Sequence, residues 1–340
     1  MTKFADLLLI ARSGRALTRS EMRRAIDLLL DNAAAGNEVA EFLLSLKARG
    51  ETVDEIVAAA EAMRAKALRV NAPAEAVDTC GTGGDGADTF NVSTAAALIV
   101  AGCGLPVAKH GNRSASSRSG SSDVLAALGV NLSPSVAVIE RCIREANVGF
   151  MFAAYHHRSV AHVAAVRKKL GVRTIFNVLG PLANPAGARR QLMGVYDRTL
   201  TGTIAKALGA LGAERAWVVA GADGLDELTT TTVSHVSEID HGVIRHFQIA
   251  PEDAGLPRAS APDLKGGDPE ENALALRKLL LGEQGPYRDI AILNASATLI
   301  VGGKAASLLE GARLAAASID SGRANACLAK LVAISNEDRQ

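Results

Sequence analysis

The feature that most constrains the fold is a repeating order of short apolar runs, glycine-containing polar loops and helical segments, which starts near residue 73. This order is typical of βαβ units, in which parallel strands alternate with helices. The apolar runs that predict strands are Val77–Cys80, Leu105–Ala108, Val148–Ala153, Thr174–Val178, Leu192–Tyr196 and Ala216–Ala220. We therefore expect an α/β fold, with a large domain over residues 73–340 whose mainly parallel central sheet is flanked by helices.

Residues 1–72 show a different pattern, because their apolar side chains recur every three to four residues, as on one face of a helix. Thr18 with Glu21, and Thr52 with Glu55, have the spacing of a capping box, which marks the start of a helix. The segment contains no cluster of residues suited to chemistry. We predict a small all-helical domain here, which supplies a packing or dimer surface.

The amino-acid composition excludes some classes of binding partner. Lysine and arginine total 37 against 36 aspartates and glutamates, so the net charge of +1 provides no general field for nucleic acid or an anionic membrane. The four cysteines have neither CxxC nor metal-site spacing, which is typical of reduced thiols inside cells. No apolar stretch approaches the roughly 20 residues of a membrane span. We expect a cytoplasmic protein that binds neither nucleic acid nor membranes.

The stretch CGTGGDGADTFNVST, residues 80–94, combines four glycines with hydroxyl and amide side chains. A glycine cluster usually marks turns with positive φ or a close approach of the backbone to a ligand. Backbone amides of residues 81–84 could form an anion nest at the start of the next helix, with side-chain donors from Asn91, Ser93 and Thr94. The stretch is neither a Walker sequence nor a GxGxxG fingerprint, so we predict a phosphate-binding loop of another kind. A tight strand-to-helix turn without a ligand is the alternative.

A second polar loop, KHGNRSASSRSGSSD, follows the next predicted strand. Cations among hydroxyls suit a mobile cover that forms charge-assisted hydrogen bonds once a phosphorylated ligand has arrived. The alternative is an ordinary solvated basic loop. The side chains that carry this prediction are Lys109, His110, Asn112, Arg113, Arg118, Ser121 and Ser122.

Asp226 and Glu227 form an acid pair that follows the last of the predicted parallel strands. Adjacent carboxylates at a strand end commonly hold Mg²⁺ and leave its other positions to water and substrate phosphates, although a solvated acidic turn is the alternative. Because ligands of parallel sheets bind at the carboxyl ends of the strands, we expect the polar loops to meet in one site.

Histidines are the candidate acid–base groups. His156 and His157 are adjacent and point different ways, whereas His110 lies within a site loop and is the better catalytic candidate. No Ser/His/Asp or Cys/His arrangement supports a covalent nucleophile. The chemistry is therefore expected to depend on positioning and charge.

Four segments resemble the anthranilate phosphoribosyltransferase family in order and spacing: DTCGTGGDGADTFNVST, KHGNRSASSRSGSSDVLAALG, RTIFNVLGPLANP and GADGLDELT. The resemblance continues through APEDAGLPR, GGDPEENA and DIAILNASATL, so it covers nearly the whole chain. KHGNR and FNVLGPLANP are highly specific, whereas GTGGD is shared with pyrimidine nucleoside phosphorylases of similar fold. The resemblance implies Mg²⁺-dependent transfer of the 5-phosphoribosyl group from phosphoribosyl pyrophosphate to the amino group of anthranilate, with release of pyrophosphate, in tryptophan biosynthesis.

The resemblance also implies the site residues. Phosphoribosyl pyrophosphate would contact Gly81, Thr82, Gly84, Asp85, Thr89, Asn91, Ser93, Thr94, Lys109 and Ser121. Anthranilate would pass along Gly81, His110, Asn112, His157, Arg167, Gly180 and Pro181, with Arg167 facing its carboxylate. Mg²⁺ would be held by Ser93, Asp226 and Glu227. Family members are usually homodimers joined through their N-terminal helices, so residues 1–72 would form the dimer surface, with part of 160–185 packing on it.

This chain departs from the family pattern at two positions. The family usually has His-Pro where this chain has His157 and Arg158, and often a histidine at the position of Ala220. Arg158 adds a cation near the expected acceptor entrance, so a related aromatic acid is an alternative acceptor.

Two other functions are alternatives. A pyrimidine nucleoside phosphorylase would usually carry a lysine-containing, glycine-rich signature, but KHGN stands in its place. A relative that has lost catalysis and binds nucleic acid is expected to have a basic face and damaged donor loops. This chain is nearly neutral and keeps Asp85, Lys109, Asp226 and Glu227.

Overall fold

The computed structural model describes residues 2–113 and 118–339 of the chain. The first helices along it are α1 (Phe4–Arg12), α2 (Arg19–Leu30), α3 (Gly36–Arg49) and α4 (Val53–Lys66). Both predicted capping boxes are present, because Thr18 and Thr52 each accept a hydrogen bond from the backbone three residues later while the glutamate there bonds back. The sequence pattern of this segment therefore predicted its helices and two of their starting points.

The strands of the described residues form a seven-stranded sheet in the order β3-β2-β1-β4-β5-β6-β7. The neighbours β3, β2, β1, β4 and β5 are parallel, whereas β6 and β7 are antiparallel additions at one edge. The strands are β1 (Val77–Gly81), β2 (Val107–Gly111), β3 (Val148–Phe152), β4 (Arg190–Gly194), β5 (Arg215–Gly221), β6 (Ser234–Asp240) and β7 (Val243–Ile249). The predicted α/β class with a mainly parallel sheet is confirmed.

Helices cover both faces of this sheet. They are α5 (Val92–Gly102), α6 (Ser121–Ala127), α7 (Val136–Glu145), α8 (Ala153–His156), α9 (Ala161–Leu170), α10 (Phe176–Leu182), α11 (Thr201–Ala210), α12 (Pro269–Leu280), α13 (Pro286–Val301), α14 (Leu308–Asp320) and α15 (Arg323–Ser335). Short 3₁₀ turns span Arg158–Val160, Arg198–Leu200, Pro251–Ala254, Ala261–Leu264 and Glu337–Arg339. Within the described ranges no helix has the length and apolar character needed to cross a bilayer.

Alternate side chains of the strands enter two different apolar cores. Leu192 and Val219 pack with α5 and α13 on one face of the sheet, in a cluster that also includes residues of α12, α14 and α15. Met193 and Val218 point to the other face and join α10, α11 and the four N-terminal helices. Because successive residues of a strand face opposite sides, this alternation places the helical segment against one face of the sheet.

One predicted strand is a helix. Residues 176–178 of the run Thr174–Val178 open α10, and Thr174 N–H donates to Asn177 Oδ1 at 3.0 Å at the start of this helix. A short buried apolar run cannot be assigned to a strand or to a helix by periodicity alone, and aromatic and β-branched residues here favoured the wrong choice. Gly180 and Pro181 accordingly lie inside a buried helix and not in a loop at a strand end.

The strand order determines where a ligand can enter. From β1 the chain crosses to β2 and β3 on one side, and β4 and β5 add on the other side. The order therefore reverses between β1 and β4, and the crevice at the carboxyl ends of such a pair is the usual ligand site of an open α/β sheet.

Candidate active site

The candidate site lies at the carboxyl ends of β1 and β4. Gly81 and Gly194 are paired at the last position of these strands. A Cβ on Gly81 would collide with Asp226 Oδ2, and one on Gly194 would collide with the carbonyl oxygen of Asp226. Both positions therefore require glycine, because the loop that carries Asp226 crosses directly over the two strand ends.

The glycine loop is bonded to the acid pair. Gly83 and Gly84 have φ values of 65° and 79°, in the region that glycine adopts without strain. The Gly83 N–H donates to Asp226 Oδ2 at 2.6 Å, and the Ser93 N–H, at the start of α5, donates to Glu227 Oε1 at 3.1 Å. The first and last polar segments predicted from the sequence thus meet at one point.

The surroundings of Asp226 and Glu227 disfavour the charged forms of both carboxylates. Burial and the neighbouring Asp85 carboxylate raise the pKa of Asp226, and burial and Asp226 raise the pKa of Glu227. Over residues 2–113 and 118–339, no three His, Cys, Asp or Glu side chains converge as ligands of one metal ion. Mg²⁺ is commonly held by one or two carboxylates together with water and substrate phosphates, and this pair fits that chemistry. A divalent cation would favour the charged carboxylates and so oppose both the burial and the repulsion that raise these pKa values.

The loop that carries the acid pair is held rigidly on its far side. Asp223 Oδ2 accepts the Thr229 hydroxyl at 2.7 Å and the Thr231 hydroxyl at 2.5 Å. Asn294 of α13 accepts from Leu228 N–H at 3.0 Å and donates to Leu228 O at 2.9 Å. The threonine run therefore shapes the acidic turn, and a buried amide fixes the backbone beside Glu227.

Lys109 is a buried cation below the glycine loop, only 2% exposed. Its Nζ donates to Thr79 O at 2.6 Å and to Ser93 Oγ at 3.2 Å. Burial lowers the pKa of Lys109, and the negative charges of Asp78 and Glu227 oppose that decrease. The ammonium is thus held between β1 and the first turn of α5.

The serine-rich loop folds back on itself. Ser121 Oγ and Ser122 N–H both donate to Asn112 O, each at 3.3 Å. Residues 114–117 of this predicted cover lie outside the described residues. The ion pairs near its two ends are Arg113–Asp123 at 3.9 Å and Arg118–Glu271 at 3.8 Å.

The other predicted donor-binding residues lie around the same loop. Thr82 Oγ1 accepts from Tyr196 N–H at 3.1 Å and so joins the loops after β1 and β4. Thr89 forms an isolated antiparallel bridge with Lys265. Thr94 is 1% exposed, and within the described part of the chain its hydroxyl oxygen has no partner.

His110 lies within β2 and not in a loop as predicted, and its ring packs against that of His157. The His110 and His157 ring centroids are 5.1 Å apart with the planes tilted by 58°. His110 Nδ1 lies 3.1 Å from Gly180 O, and because a carbonyl oxygen only accepts, Nδ1 carries the proton. Burial holds the pKa of His110 well below 6.5 and lowers that of His157 to about 4. Both imidazoles are therefore neutral near pH 7.

Arg167 projects from α9 towards α10. Its Nη2 donates to Asn177 Oδ1 at 3.2 Å, its guanidinium lies 5.7 Å from the centre of the Phe176 ring, and burial lowers its pKa. Among the described residues its Nε has no hydrogen-bond partner. Pro181 O accepts from Gln191 Nε2 at 2.8 Å, which ties α10 to β4. The structure thus brings α9, α10 and the histidine pair to the same side of the sheet.

Arg158 and Ala220 are the two positions at which this chain departs from the family pattern. Arg158 is exposed, with its guanidinium 4.9 Å from the centre of the Tyr155 ring. Ala220 is buried at the end of β5 and is paired directly with His235 of β6. An imidazole therefore lies on the strand beside the alanine.

Sequence reasoning missed several residues that support the site. Asp78 is fully buried in β1, where it accepts from His110 N–H at 3.1 Å and from Asn184 Nδ2 at 2.7 Å. Arg173 donates to Gly84 O and lies 4.0 Å from the centre of the Tyr196 ring. These contacts join segments that are distant in sequence, so no local pattern indicated them.

Comparisons with known proteins show which family this chain resembles. The model of the glycosyl transferase family, a/b domain, matches residues 73–325, and that of the glycosyl transferase family, helical bundle domain, matches residues 5–67. The anthranilate phosphoribosyltransferase of Methylocella silvestris is 59% identical over 95% of this chain and 93% of its own length. The crystal structure of the enzyme of that name from Thermus thermophilus superposes with a TM-score of 0.93 at 43% identity, covering 97% of this chain and 99% of the other. The Saccharomyces cerevisiae enzyme in complex with PRPP and Mg has a TM-score of 0.89 at 28% identity, with 98% of each chain covered. This chain therefore belongs to the anthranilate phosphoribosyltransferase family.

Proposed function

We propose that this chain transfers the 5-phosphoribosyl group of phosphoribosyl pyrophosphate to the amino group of anthranilate and releases pyrophosphate. The observation that carries the proposal is the direct bonding of the glycine loop and the start of α5 to the acid pair, through Gly83 and Ser93. A sugar with phosphate at two positions needs both anion-binding backbone and a divalent cation within reach, and this junction offers both.

The donor binds over the loop after β1. The N–H groups of the glycine loop and the N-terminus of α5 face the phosphates, with Lys109 and Ser93 beside them. The residues assigned to the donor are Gly81, Thr82, Gly84, Asp85, Thr89, Asn91, Ser93, Thr94, Lys109 and Ser121. Asp226 and Glu227, with the Ser93 hydroxyl, would hold Mg²⁺, which when bound spreads the negative charge of the departing pyrophosphate.

The acceptor binds on the side of the histidine pair, along Gly81, His110, Asn112, His157, Arg167, Gly180 and Pro181. Arg167 provides a guanidinium for the anthranilate carboxylate, a pairing that is frequently bidentate. The neutral rings of His110 and His157 offer apolar surface to an aromatic ring and ring nitrogens to its polar groups. An imidazole whose pKa is depressed by burial is a weak base, so positioning is the role that the structure supports for His110.

The reaction forms the bond between the amine nitrogen and the sugar carbon, breaks the bond from that carbon to pyrophosphate, and releases one proton from the nitrogen, which becomes acidic enough on bond formation for water to accept it. An aromatic amine is neutral near pH 7, so the nucleophile requires no strong base to begin. We propose a dissociative displacement with inversion at the sugar carbon, driven by orientation of the two substrates and stabilisation of the leaving group. Lys109 and the backbone donors of the glycine loop hold the pyrophosphate while the ribose becomes cationic.

We also propose the domain division and the dimer. Residues 1–72 form the helical domain and 73–340 the catalytic domain, with part of 160–185 packed on the first: Arg64 Nε donates to Leu182 O at 2.7 Å. Leu9 and Leu44, on the neighbouring helices α1 and α3, are 60% and 42% exposed and offer apolar surface to a second copy. Light scattering of the wild type and of Leu9→Glu tests the homodimer. The cytoplasmic location, and the lack of nucleic-acid and membrane partners, stay predictions.

The decisive experiment supplies the protein with phosphoribosyl pyrophosphate, Mg²⁺ and anthranilate and follows the loss of anthranilate fluorescence. We expect turnover that requires all three components. The same protein given thymidine or uridine with phosphate should release no free base. Turnover in the second assay and none in the first would replace the proposal with a nucleoside phosphorylase.

The metal assignment is tested with Asp226→Ala combined with Glu227→Ala. This variant should lose most of its turnover, and the residual rate should no longer depend on Mg²⁺ as the wild-type rate does. A wild-type response to Mg²⁺ in the double variant would refute the assignment.

A further inference from the structure

Asn272 is a buried amide that reaches the donor loop from a distant part of the chain. It lies in the first turn of α12 and is 1% exposed. Its Nδ2 donates to Asn91 Oδ1 at 3.0 Å, and its own Oδ1 accepts from the Gly267 N–H at 2.7 Å. Asn91 in turn donates from Nδ2 to Ser119 O at 3.1 Å, in the serine-rich loop.

These contacts form a chain of hydrogen bonds with one possible direction. At one end the Gly267 N–H can only donate, so the Asn272 atom facing it is the oxygen. At the other end Ser119 O can only accept, so the Asn91 atom facing it is the nitrogen. Each amide therefore has one orientation that satisfies both of its neighbours: Asn272 presents its NH₂ group to the Asn91 oxygen, and Asn91 presents its NH₂ group to Ser119 O.

We propose that Asn272 is a positioning residue for donor binding, which holds the Asn91 amide with its NH₂ group turned towards the phosphate-binding region. The proposal rests on the proposed function, because it assumes an anionic donor at the glycine loop. An amide nitrogen carries two hydrogens, and the bond to Ser119 uses one of them. Turned the other way, Asn91 would present its carbonyl oxygen both to Ser119 O and to the phosphates.

Contacts other than those of Asn272 also hold the backbone around these side chains. Phe90 N–H donates to Leu264 O at 3.1 Å, and Gly266 N–H donates to Asp88 O at 2.8 Å. A Cβ on Gly266 would lie 2.8 Å from Thr89 O, which shows how closely the two segments pack. Loss of the Asn272 donor therefore leaves the donor loop in place and changes the orientation of one amide.

The principal test is Asn272→Asp. A carboxylate there still accepts from Gly267 N–H but has no hydrogen to donate to Asn91 Oδ1, so the Asn91 amide should turn over. We expect the KM for phosphoribosyl pyrophosphate to rise about tenfold or more, the range for a lost hydrogen bond to a charged group. The KM for anthranilate at saturating donor should change less than about twofold. Calorimetry with Mg²⁺ and inorganic pyrophosphate should show weaker binding by a similar factor.

Two comparisons separate positioning from general damage. Asn336→Asp is the matched control, since its Nδ2 also donates to carbonyls, Gly129 O at 2.9 Å and Val332 O at 2.8 Å, at the end of α15. It should leave both KM values unchanged. Asn272→Ala removes the donor without adding a charge or an acceptor, and Ser119 O still favours the native orientation of Asn91, so it should raise the donor KM by a smaller factor than Asn272→Asp does.

A double-mutant cycle with Asn91→Ala decides the mechanism. If Asn272 acts through Asn91, neither Asn272 variant should raise the donor KM further in the Asn91→Ala background. An undiminished effect there, or an Asn272→Asp enzyme with wild-type donor KM, would overturn the inference. A wild type that shows no turnover with both substrates would refute the proposed function itself, which is a separate outcome.

Discussion

The glycine at the end of β4 gives the sharpest test of how the acid pair is positioned. In Gly194→Ala the new Cβ would collide with the Asp226 carbonyl oxygen, and ordinary contacts begin at 3.4 Å, so that oxygen would have to retreat by roughly 2 Å. The Asp226 side chain cannot follow this movement without losing its 2.6 Å bond to the Gly83 N–H. The substitution is therefore expected to perturb packing and the proposed metal site together.

The expected size of each effect follows from this displacement. Overpacking costs about 1–3 kcal/mol, and the lost hydrogen bond to the Asp226 carboxylate about 1–3 kcal/mol, so we expect the free energy of unfolding to fall by about 3 kcal/mol. Catalytic groups tolerate misplacement of only about 0.5 Å, so turnover should fall about 100-fold or more. The Mg²⁺ concentration that gives half-maximal turnover should rise about tenfold.

Urea unfolding and Mg²⁺ titration of turnover measure the two effects. Gly36→Ala is the matched control, because a Cβ there meets Val166 Cγ2 at an ordinary 3.7 Å and Gly36 begins α3. Its free energy of unfolding should stay within about 1 kcal/mol of the wild type, with unchanged Mg²⁺ dependence. If Gly194→Ala behaved like this control, the Asp226 loop would not lie across the end of β4 and the geometric reasoning would fail.

Three further changes test other parts of the molecule. Arg167→Ala should raise the KM for anthranilate at least about tenfold and the donor KM less than about twofold, because a carboxylate loses its guanidinium partner; an equal rise in both would count against the assignment. The pKa of His157 is about 4 in the folded protein, whereas the ordinary value of 6.5 applies in the unfolded chain. As the pH falls from about 6.5 towards 4, only the unfolded chain gains this proton, so the free energy of unfolding decreases over that pH range. His157→Gln should therefore reduce the loss of stability between pH 7.5 and pH 5 by about 2 kcal/mol, measured by urea unfolding at both pH values; identical pH slopes would contradict the shift. Glu55 is fully buried, with its Oε1 2.7 Å from Nη2 of Arg49. Glu55→Gln should lower the free energy of unfolding by about 3 kcal/mol and leave kcat/KM of the folded enzyme unchanged.

Much of the fold was predictable because its signals are local. Five of the six predicted runs contain or overlap strands, since each is a short apolar segment flanked by polar turns. The run Thr174–Val178 failed because its composition suits a strand, while the burial of four of its five residues suits a buried helix equally well. Tertiary context decided between the two, and sequence pattern does not contain it.

The candidate site also contains some residues that a local sequence pattern indicates and others that it does not. The glycine loop and the acid pair were visible because anion binding needs unusual backbone and because two adjacent carboxylates are costly to place together. Gly194 and Asn272 were not visible, since each is an ordinary residue whose importance comes from one distant contact. Gly194 meets a residue 32 positions away and Asn272 one that is 181 positions away.

Asp78 shows how such a hidden residue joins the two halves of the site. Its carboxylate is fully buried, and burial raises its pKa to about 6, so the charged form is retained near pH 7 only with the support of its neighbours. Lys109 supplies an opposing charge, Asn184 donates from the loop after α10, and the His110 N–H donates from β2. The ring of that same His110 bonds Gly180 on the proposed acceptor side, while Lys109 bonds Ser93 on the proposed donor side. One buried carboxylate thus supports both Lys109 and His110, so under the proposed assignment the cation beside the phosphates and the ring beside the acceptor are held by the same residue.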